Sequence, residues 1–358
     1  MDFSWTLLID GFGVQHFGNM VFSQSVSGFG TPGVISKRFE FDIIDELGTF
    51  SEADLDNASV ILTHSESDKF IGQIPVYYIM KRTISDNKLH FICYDKLAMT
   101  DRRFDASSLK FTDGKVPLDD VLSEAFLQCG IYDFDYLDRT GTDYIKFTEE
   151  QLKNCTCRNI LEDVATAMCG VWICDASEKA VLSTFGRVSE DSFKGIVYSY
   201  EYANIEKNGM QEVTALIMTN CDSGEAFAYE TGKNGITLEI STPFACNELS
   251  AAVWSRVNSY SFFAWNCKSA KINEFAFSTM PIQFSNEASY TQLTISKVNI
   301  SADSTGVYFS GGNPAREKEY KPYLDREKIS IAKNIGSTAI ERSGRIVFRN
   351  LNSGGNNG

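Results

Sequence analysis

CTCRNILEDVATAMCGVWICDASEKAVLSTF, residues 155–185, reads as one helix running straight into a β-hairpin. Thr156 is placed to cap the helix, because its hydroxyl accepts from a free backbone N–H of the first turn. Ile160, Val164 and Met168 fall on one stripe, with Leu161 and Ala165 beside it. Gly170 stands where a left-handed residue ends a helix. Val171-Trp172-Ile173-Cys174 is a short apolar run, Asp175 to Lys179 a polar turn, and Ala180 to Phe185 the returning strand. A helix and a hairpin alone bury too little surface to be stable. The unit must pack into something larger, and it divides the chain into two halves.

Residues 1–97 read as β structure. Phe39, Phe41 and Ile43 alternate with Arg38, Glu40 and Asp42, the pattern of a half-buried strand. Met20 to Ser27, Val60 to Leu62, Phe70 to Lys81 and Lys88 to Tyr94 are further strands, the last two joined across Ser85-Asp86-Asn87. Five or six strands without long helices suggest a sandwich or barrel. Residues 98–197 change character: Leu118, Val121, Leu122, Ala125 and Phe126 form a helical stripe between Pro117 and Gly130. From Tyr198 the chain is β again, with strands at Gln211 to Thr219, Gly235 to Ile240, Lys271 to Phe277, Gln292 to Ile300, Val307 to Phe309 and Arg345 to Arg349. Helices are expected at Asn247 to about Tyr260 and at Tyr323 to about Lys333. Asn352 to Gly358 reads as a disordered tail.

The chain has 358 residues, enough for two or three domains. Its 47 acids against 33 Lys and Arg give a net charge of −14, which argues against tight binding of nucleic acid, because that affinity comes from Lys and Arg. No stretch is long and apolar enough to span a membrane, and residues 1–9 do not read as a signal peptide. Nine Cys, an odd number, fit free and mostly buried thiols made in a reducing cytoplasm. The sequons at Asn57 and Asn299 then carry no meaning.

Several motifs suggest chemistry, and each has a plainer explanation. Gly28-Phe29-Gly30-Thr31-Pro32-Gly33 matches GxGxxG, but a dinucleotide site needs a helix after the last glycine, and Val34 to Ile44 is strand-like. Cys155, Cys157, Cys169 and Cys174 lie close in sequence, without the paired CxxC spacing of a zinc ribbon, and are expected to be core thiols. His16, His64 and His90 have no metal-ligand spacing. No GxSxG elbow is present. Glu149-Glu150, Asp119-Asp120 and Glu162-Asp163 read as solvated faces. Tyr260, Phe262, Phe263 and Trp265 form either a sugar-stacking or partner patch, or core packing after a helix. We therefore assign no catalytic, cofactor-binding or metal residue, and no cofactor.

Residues 156–186, TCRNILEDVATAMCGVWICDASEKAVLSTFG, resemble a segment of the central baseplate hub proteins of phage tails and contractile injection systems. There a helix of the kind (T/S)xRxxLxxIAxxxGG precedes a hairpin with a D/N-G-K turn. Here Cys169-Gly170 replaces the small pair, and Ser177-Glu178-Lys179 the tight turn. Leu89 to Phe104, LHFICYDKLAMTDRRF, resembles the strand ending in YDxLAxL that closes the family's first barrel. The resemblance implies an α+β, mainly β fold with two tail-tube-like antiparallel β-barrels. It places the first barrel at 1–97, an inserted α/β domain at 98–197, and the second barrel at 198–350 with a helical insertion at 244–267; the tail is 351–358. The first barrel, with Phe39, Phe41 and Ile43, would superpose on the second, with Val213, Ala215 and Ile295. It also implies a non-enzymatic homotrimer in the baseplate of a phage tail or bacteriocin-like particle. Such a trimer joins the six-fold tail tube protein to a separate three-fold spike protein and touches other baseplate proteins. The competing reading is a cell-wall glycan-binding or hydrolysing protein.

Overall fold

The computed structural model describes residues 3–23, 32–66, 69–73, 76–175, 177–185, 195–197, 200–205, 211–262, 265–269, 281–284, 290–292, 298–300, 307–311, 338–340 and 346–348. It is mainly β with some helices. The chain forms two units, Met1–Lys318 and Glu319–Gly358. In the second unit the described residues are one antiparallel hairpin, Thr338–Ile340 with Ile346–Phe348.

The first sheet is built from β1 (Phe3–Ile9), β2 (Phe12–Val14), β3 (Phe17–Ser23), β5 (Arg38–Ile44), β6 (Ser59–Glu66), β7 (Lys69–Gln73), β8 (Tyr77–Ser85) and β9 (Lys88–Tyr94); β4 (Gly33–Val34) belongs elsewhere. Its order is β2-β1-β6-β8-β9-β5-β3, with Val298–Ile300 added beyond β3 and β7 on β6, and all pairs are antiparallel. The alternation read in β5 is real: Phe39, Phe41 and Ile43 are buried. In register, Phe41 faces Phe91 and Phe39 faces Phe22. The rings stack at centroid distances of 4.2 Å (Phe22–Phe39), 4.9 Å (Phe39–Phe41) and 5.1 Å (Phe41–Phe91). Leu7, Ile9, Val60, Leu62, Tyr77 and Ile79 close the same core from the other strands.

This sheet cannot be flat. β2 and β3 stand six strands apart in the pairing order, yet only Gln15 and His16 join them. Six steps across a flat sheet span about 29 Å, whereas three Cα–Cα links reach at most about 11 Å. The sheet therefore curls around its own apolar face. The strand Phe3–Ile9 was not read from the sequence, because its apolar residues run on from Leu7 to Ile9 without a clean alternation.

The α/β module starts with β10 (Lys115–Pro117), α1 (Leu118–Gln128), β11 (Phe134–Tyr136), β12 (Lys146–Thr148) and α2 (Glu149–Leu152). It continues with α3 (Cys157–Met168), β13 (Gly170–Cys174) and β14 (Ala180–Thr184); β15 (Gly195–Val197) and β16 (Tyr200–Ile205) follow. Its sheet has the order β11-β14-β13-β4. α1 buries the stripe read from the sequence, and α3 opens with a capping box in which Thr156 and Asn159 exchange side chain-to-backbone bonds of 3.1 Å. One expectation is corrected. The left-handed residue that ends α3 is Cys169, at φ +51°, and Gly170 is already in the strand. A Cβ on Gly170 would lie 2.8 Å from the Ser183 carbonyl, so close strand approach, not the turn, requires glycine there.

α3 is buried well beyond one stripe: Cys157, Asp163, Thr166 and Ala167 join the apolar positions. The reason is a further neighbour. Besides β4, β13 and α1, α3 packs against β19 (Ile236–Thr242). That strand lies parallel to β17 (Gln211–Asn220), which pairs antiparallel with β18 (Ala226–Glu230) and with Ser261–Phe262. α4 (Asn247–Val257) packs on β17 and β18. Val213, Leu216, Met218, Ile240, Phe244, Leu249, Val253 and Val257 share one core with α1, α3 and β13. Beyond this, Tyr200–Ile205, Trp265–Ser269 and Val307–Gly311 pair as an antiparallel sheet. Ile295, Lys271 to Phe277, Tyr323 to Lys333 and the tail from Asn352 lie outside the described residues.

Candidate interaction surfaces

The first sheet is tied to the α/β module by a buried polar junction. Asp95, at the end of β9, accepts from the backbone N–H of Lys37 at 3.0 Å and of Leu97 at 3.2 Å; its own N–H donates to the Lys37 carbonyl at 3.0 Å. The Lys37 ammonium donates to the Cys174 carbonyl at the end of β13. Both side chains are buried. Burial raises the Asp95 carboxyl to about 7, against the opposing pull of the Lys37 charge and the two backbone bonds. Burial likewise lowers the Lys37 ammonium from its ordinary value, opposed by Asp95. A second tie lies at the hairpin turn, where Glu178 accepts from the Tyr78 hydroxyl and pairs with Lys96 at 3.3 Å.

Two arginines clamp the module, Arg158 half-buried and Arg256 buried. Arg158, the Arg of the quoted helix motif, donates to the Val34 carbonyl at 2.7 Å and to Ser36 Oγ at 3.1 Å, and pairs with Glu162 at 3.3 Å and Asp101 at 3.6 Å. It holds β4 on α3. Arg256 of α4 donates to the Met168 carbonyl at 2.7 Å and the Thr140 carbonyl at 2.8 Å, fixing α4 to the end of α3. Sequence spacing gave no sign of Arg256 or Lys37. Asp95 stood in the quoted YDxLAxL stretch, but no role was read for it there.

The residues singled out by motif do not converge. Cys155 donates its thiol to the Leu152 carbonyl at 3.1 Å, Cys157 meets Cys129, Cys169 lies near Arg256, and Cys174 lies by Lys37 and Asp95. Burial pushes the Cys169 thiol up to about 12. Among the described residues no group of three or more metal-ligating side chains gathers. Gly28 to Thr31 lie outside the described residues, but Gly33 opens β4, a strand parallel to β13, where a nucleotide site needs a helix. His16 is exposed, the side chain of His64 lies outside the described residues, and His90 meets Asp42 at 2.8 Å on the outer face of the first sheet. Asp42 also pairs with Lys88 at 2.8 Å; burial would raise its carboxyl, but the bonds from Lys88, Asn19 and His90 outweigh it and lower the value.

Glu149, Glu150, Asp119 and Asp120 are solvated as read, whereas Glu162 is half-buried against Arg158 and Asp163 is buried. Tyr260 packs against the large core, while Phe263 and the side chains of Phe262 and Trp265 lie outside the described residues. At the surface, the end of β5 lies beside the β8–β9 turn, with Asp45 N–H donating to the Asn87 carbonyl at 2.8 Å. There Ile44, Leu47 and Ile84 are 55%, 91% and 51% exposed. A groove of about 690 Å³ runs between the 103–111 loop and α2, lined by Arg103, Phe104, Leu109, Phe111, Leu152 and Lys153 among others.

The curled sheet, the α/β module and the following β region have the fold of phage tail proteins. One solved structure that shares it is the 43 kDa tail protein of prophage MuSo2 from Shewanella oneidensis, at 13% identity and TM-score 0.51, over 88% of this chain and 99% of that one. Another is the tail protein from Neisseria meningitidis MC58, at 11% identity and TM-score 0.52, over 87% of this chain and 96% of that one. No family model matches the sequence. No curated protein matches it either.

Proposed function

We propose that the chain is a structural baseplate hub: a homotrimer that joins the six-fold tail tube to a three-fold spike, without catalytic activity of its own. The observation that carries this reading is the fold shared with two tail proteins along nearly their whole length. The α/β module between two β regions agrees with it. Three copies of a chain with two tube-like barrels offer six similar barrels to the tube and three of everything else to the spike, which closes the ring without open edges. The curl of the first sheet supports a barrel there. The charge of −14 supports a channel wall that DNA passes without sticking. Such a protein is made in the bacterial cytoplasm and assembled into the particle.

Sedimentation or light scattering of the purified chain, with its tube and spike candidates, tests the proposal. A three-fold ring with a central channel, binding both partners, is expected. A monomeric or six-fold particle, or clearing of cell-wall substrate by the chain alone, sinks it.

A further inference from the structure

The turn that joins β18 to β19 ends in the pair Asn234-Gly235. The residues before this pair are pinned. The Thr231 N–H donates to the Thr214 carbonyl at 2.9 Å, the Lys233 N–H donates to Thr231 Oγ1 at 3.3 Å, and the Lys233 ammonium pairs with Glu212 at 3.5 Å. Asn234 is exposed, and among the described residues its side chain has no hydrogen-bond partner. Its amide is free to turn onto the backbone N–H of Gly235. In most sequences the side chain of the following residue screens that N–H, and glycine has none. The fold also forbids one. A Cβ on Gly235 would lie 2.5 Å from the Glu212 carbonyl and would run into the buried side chain of Thr214. Close packing of the start of β19 on β17 therefore fixes the glycine, and an unpartnered asparagine stands directly before it.

We propose that Asn234-Gly235 is a self-modifying site, where the asparagine converts to aspartate and isoaspartate with water as the only co-reactant. The Gly235 nitrogen loses its proton to base and attacks Cγ of Asn234. The new C–N bond closes a cyclic imide; the bond from Cγ to the amide nitrogen breaks, and that nitrogen takes up a proton and leaves as ammonia. Water then opens the ring. Attack at Cγ restores the ordinary main chain and leaves aspartate. Attack at the backbone carbonyl leaves the chain running through Cβ, as isoaspartate. One water is consumed, one ammonia is released, and nothing is oxidised or reduced. Because the reacting groups belong to adjacent residues, no assembled site is needed, only freedom of the Asn234 side chain. Either product places a new negative charge beside the Glu212–Lys233 pair. Isoaspartate also adds a methylene to the main chain immediately before Gly235, where not even a Cβ has room. The start of β19 must shift, and β19 packs on α3 and completes the large core. The site is thus a slow clock set against that core. This chemistry does not depend on the hub reading.

The test uses the full chain, incubated in mildly alkaline and mildly acidic buffer, sampled over time and digested with trypsin beside a time-zero control. Cleavage after Lys233 and Arg256 isolates the peptide Asn234–Arg256. Tandem mass spectrometry should show an amide replaced by a carboxyl at residue 234, in two isomers that separate on chromatography. The isoaspartate isomer should accept a labelled methyl group from protein isoaspartyl methyltransferase. Conversion should be faster in the alkaline buffer. The converted chain should lose several degrees of thermal midpoint, and hydrogen exchange in β19 and α3 should quicken. Asn234→Gln, at an exposed position, should block conversion and keep the midpoint constant through the same incubation. Asn208-Gly209, in the separate peptide Asn208–Lys233, is an internal reference and lies outside the described residues. Asn234 staying intact while Asn208 converts overturns the proposal, and so does conversion of Asn234 with the midpoint and the α3 exchange unchanged.

Discussion

Asp95 accepts two backbone bonds, yet burial holds its carboxyl at about 7, above the ordinary 3.8. The folded protein keeps this proton more tightly than the unfolded chain does. The contribution is therefore full below about pH 4 and is lost as the pH rises towards 7, on the order of 4 kcal/mol across that window. Lys37, Tyr77, Cys174 and Arg158 are the groups around it. Lys37, lowered from 10.5, acts in the opposite sense on the alkaline side. Asp95→Asn should remove the acid-side slope. Measured by urea unfolding, the stability gap between wild type and variant should shrink by a few kcal/mol from pH 4 to pH 7, and a constant gap would count against the assignment. Arg256 makes a simpler case. Arg256→Ala leaves the Met168 and Thr140 carbonyls unpaired and should cost about 2–4 kcal/mol in the same assay.

At the scale of elements, the helix and hairpin at 155–185 were legible because three local signals agreed: a capping Thr, a 3.6-residue stripe and a polar turn. The tertiary role of each residue was not. The sequence placed glycine at 170 as a helix stop, but the close approach of β14 requires it and Cys169 takes the left-handed turn. Gly170→Ala should therefore destabilise by about 2–4 kcal/mol through the clash with the Ser183 carbonyl. Thr156→Ala should cost about 1 kcal/mol by loss of the cap. Denaturation midpoints that place the Thr156 variant below the Gly170 variant would reverse this order. β4 was merged into one long strand with β5, since nothing local shows that two residues leave one sheet for another. Arg158, Lys37 and Arg256 act across more than 80 positions of sequence, which no local pattern reports.

At the scale of the molecule, the α/β module does not own its core. Residues 213–257 complete it, and α3 would show one side to water without β19. A chain ending at Val197 should keep the first sheet folded and leave the module loosely packed. Hydrogen exchange would then show protection in β5 and β9 and fast exchange in α3, and full protection of α3 would contradict the shared core. The pairing of β3 with Val298–Ile300 has a bearing on synthesis. Between Ser23 and Ile300 the ribosome adds 277 residues (300 − 23). At bacterial rates that takes roughly 15–55 s. For all that time the N–H and C=O groups on the outer side of Met20, Val21 and Phe22 await their partner, long after β5 has paired on the inner side. Among nascent chains on one messenger, neighbours at the same stage carry the same open row, so the hazard is greatest between siblings and grows with expression level.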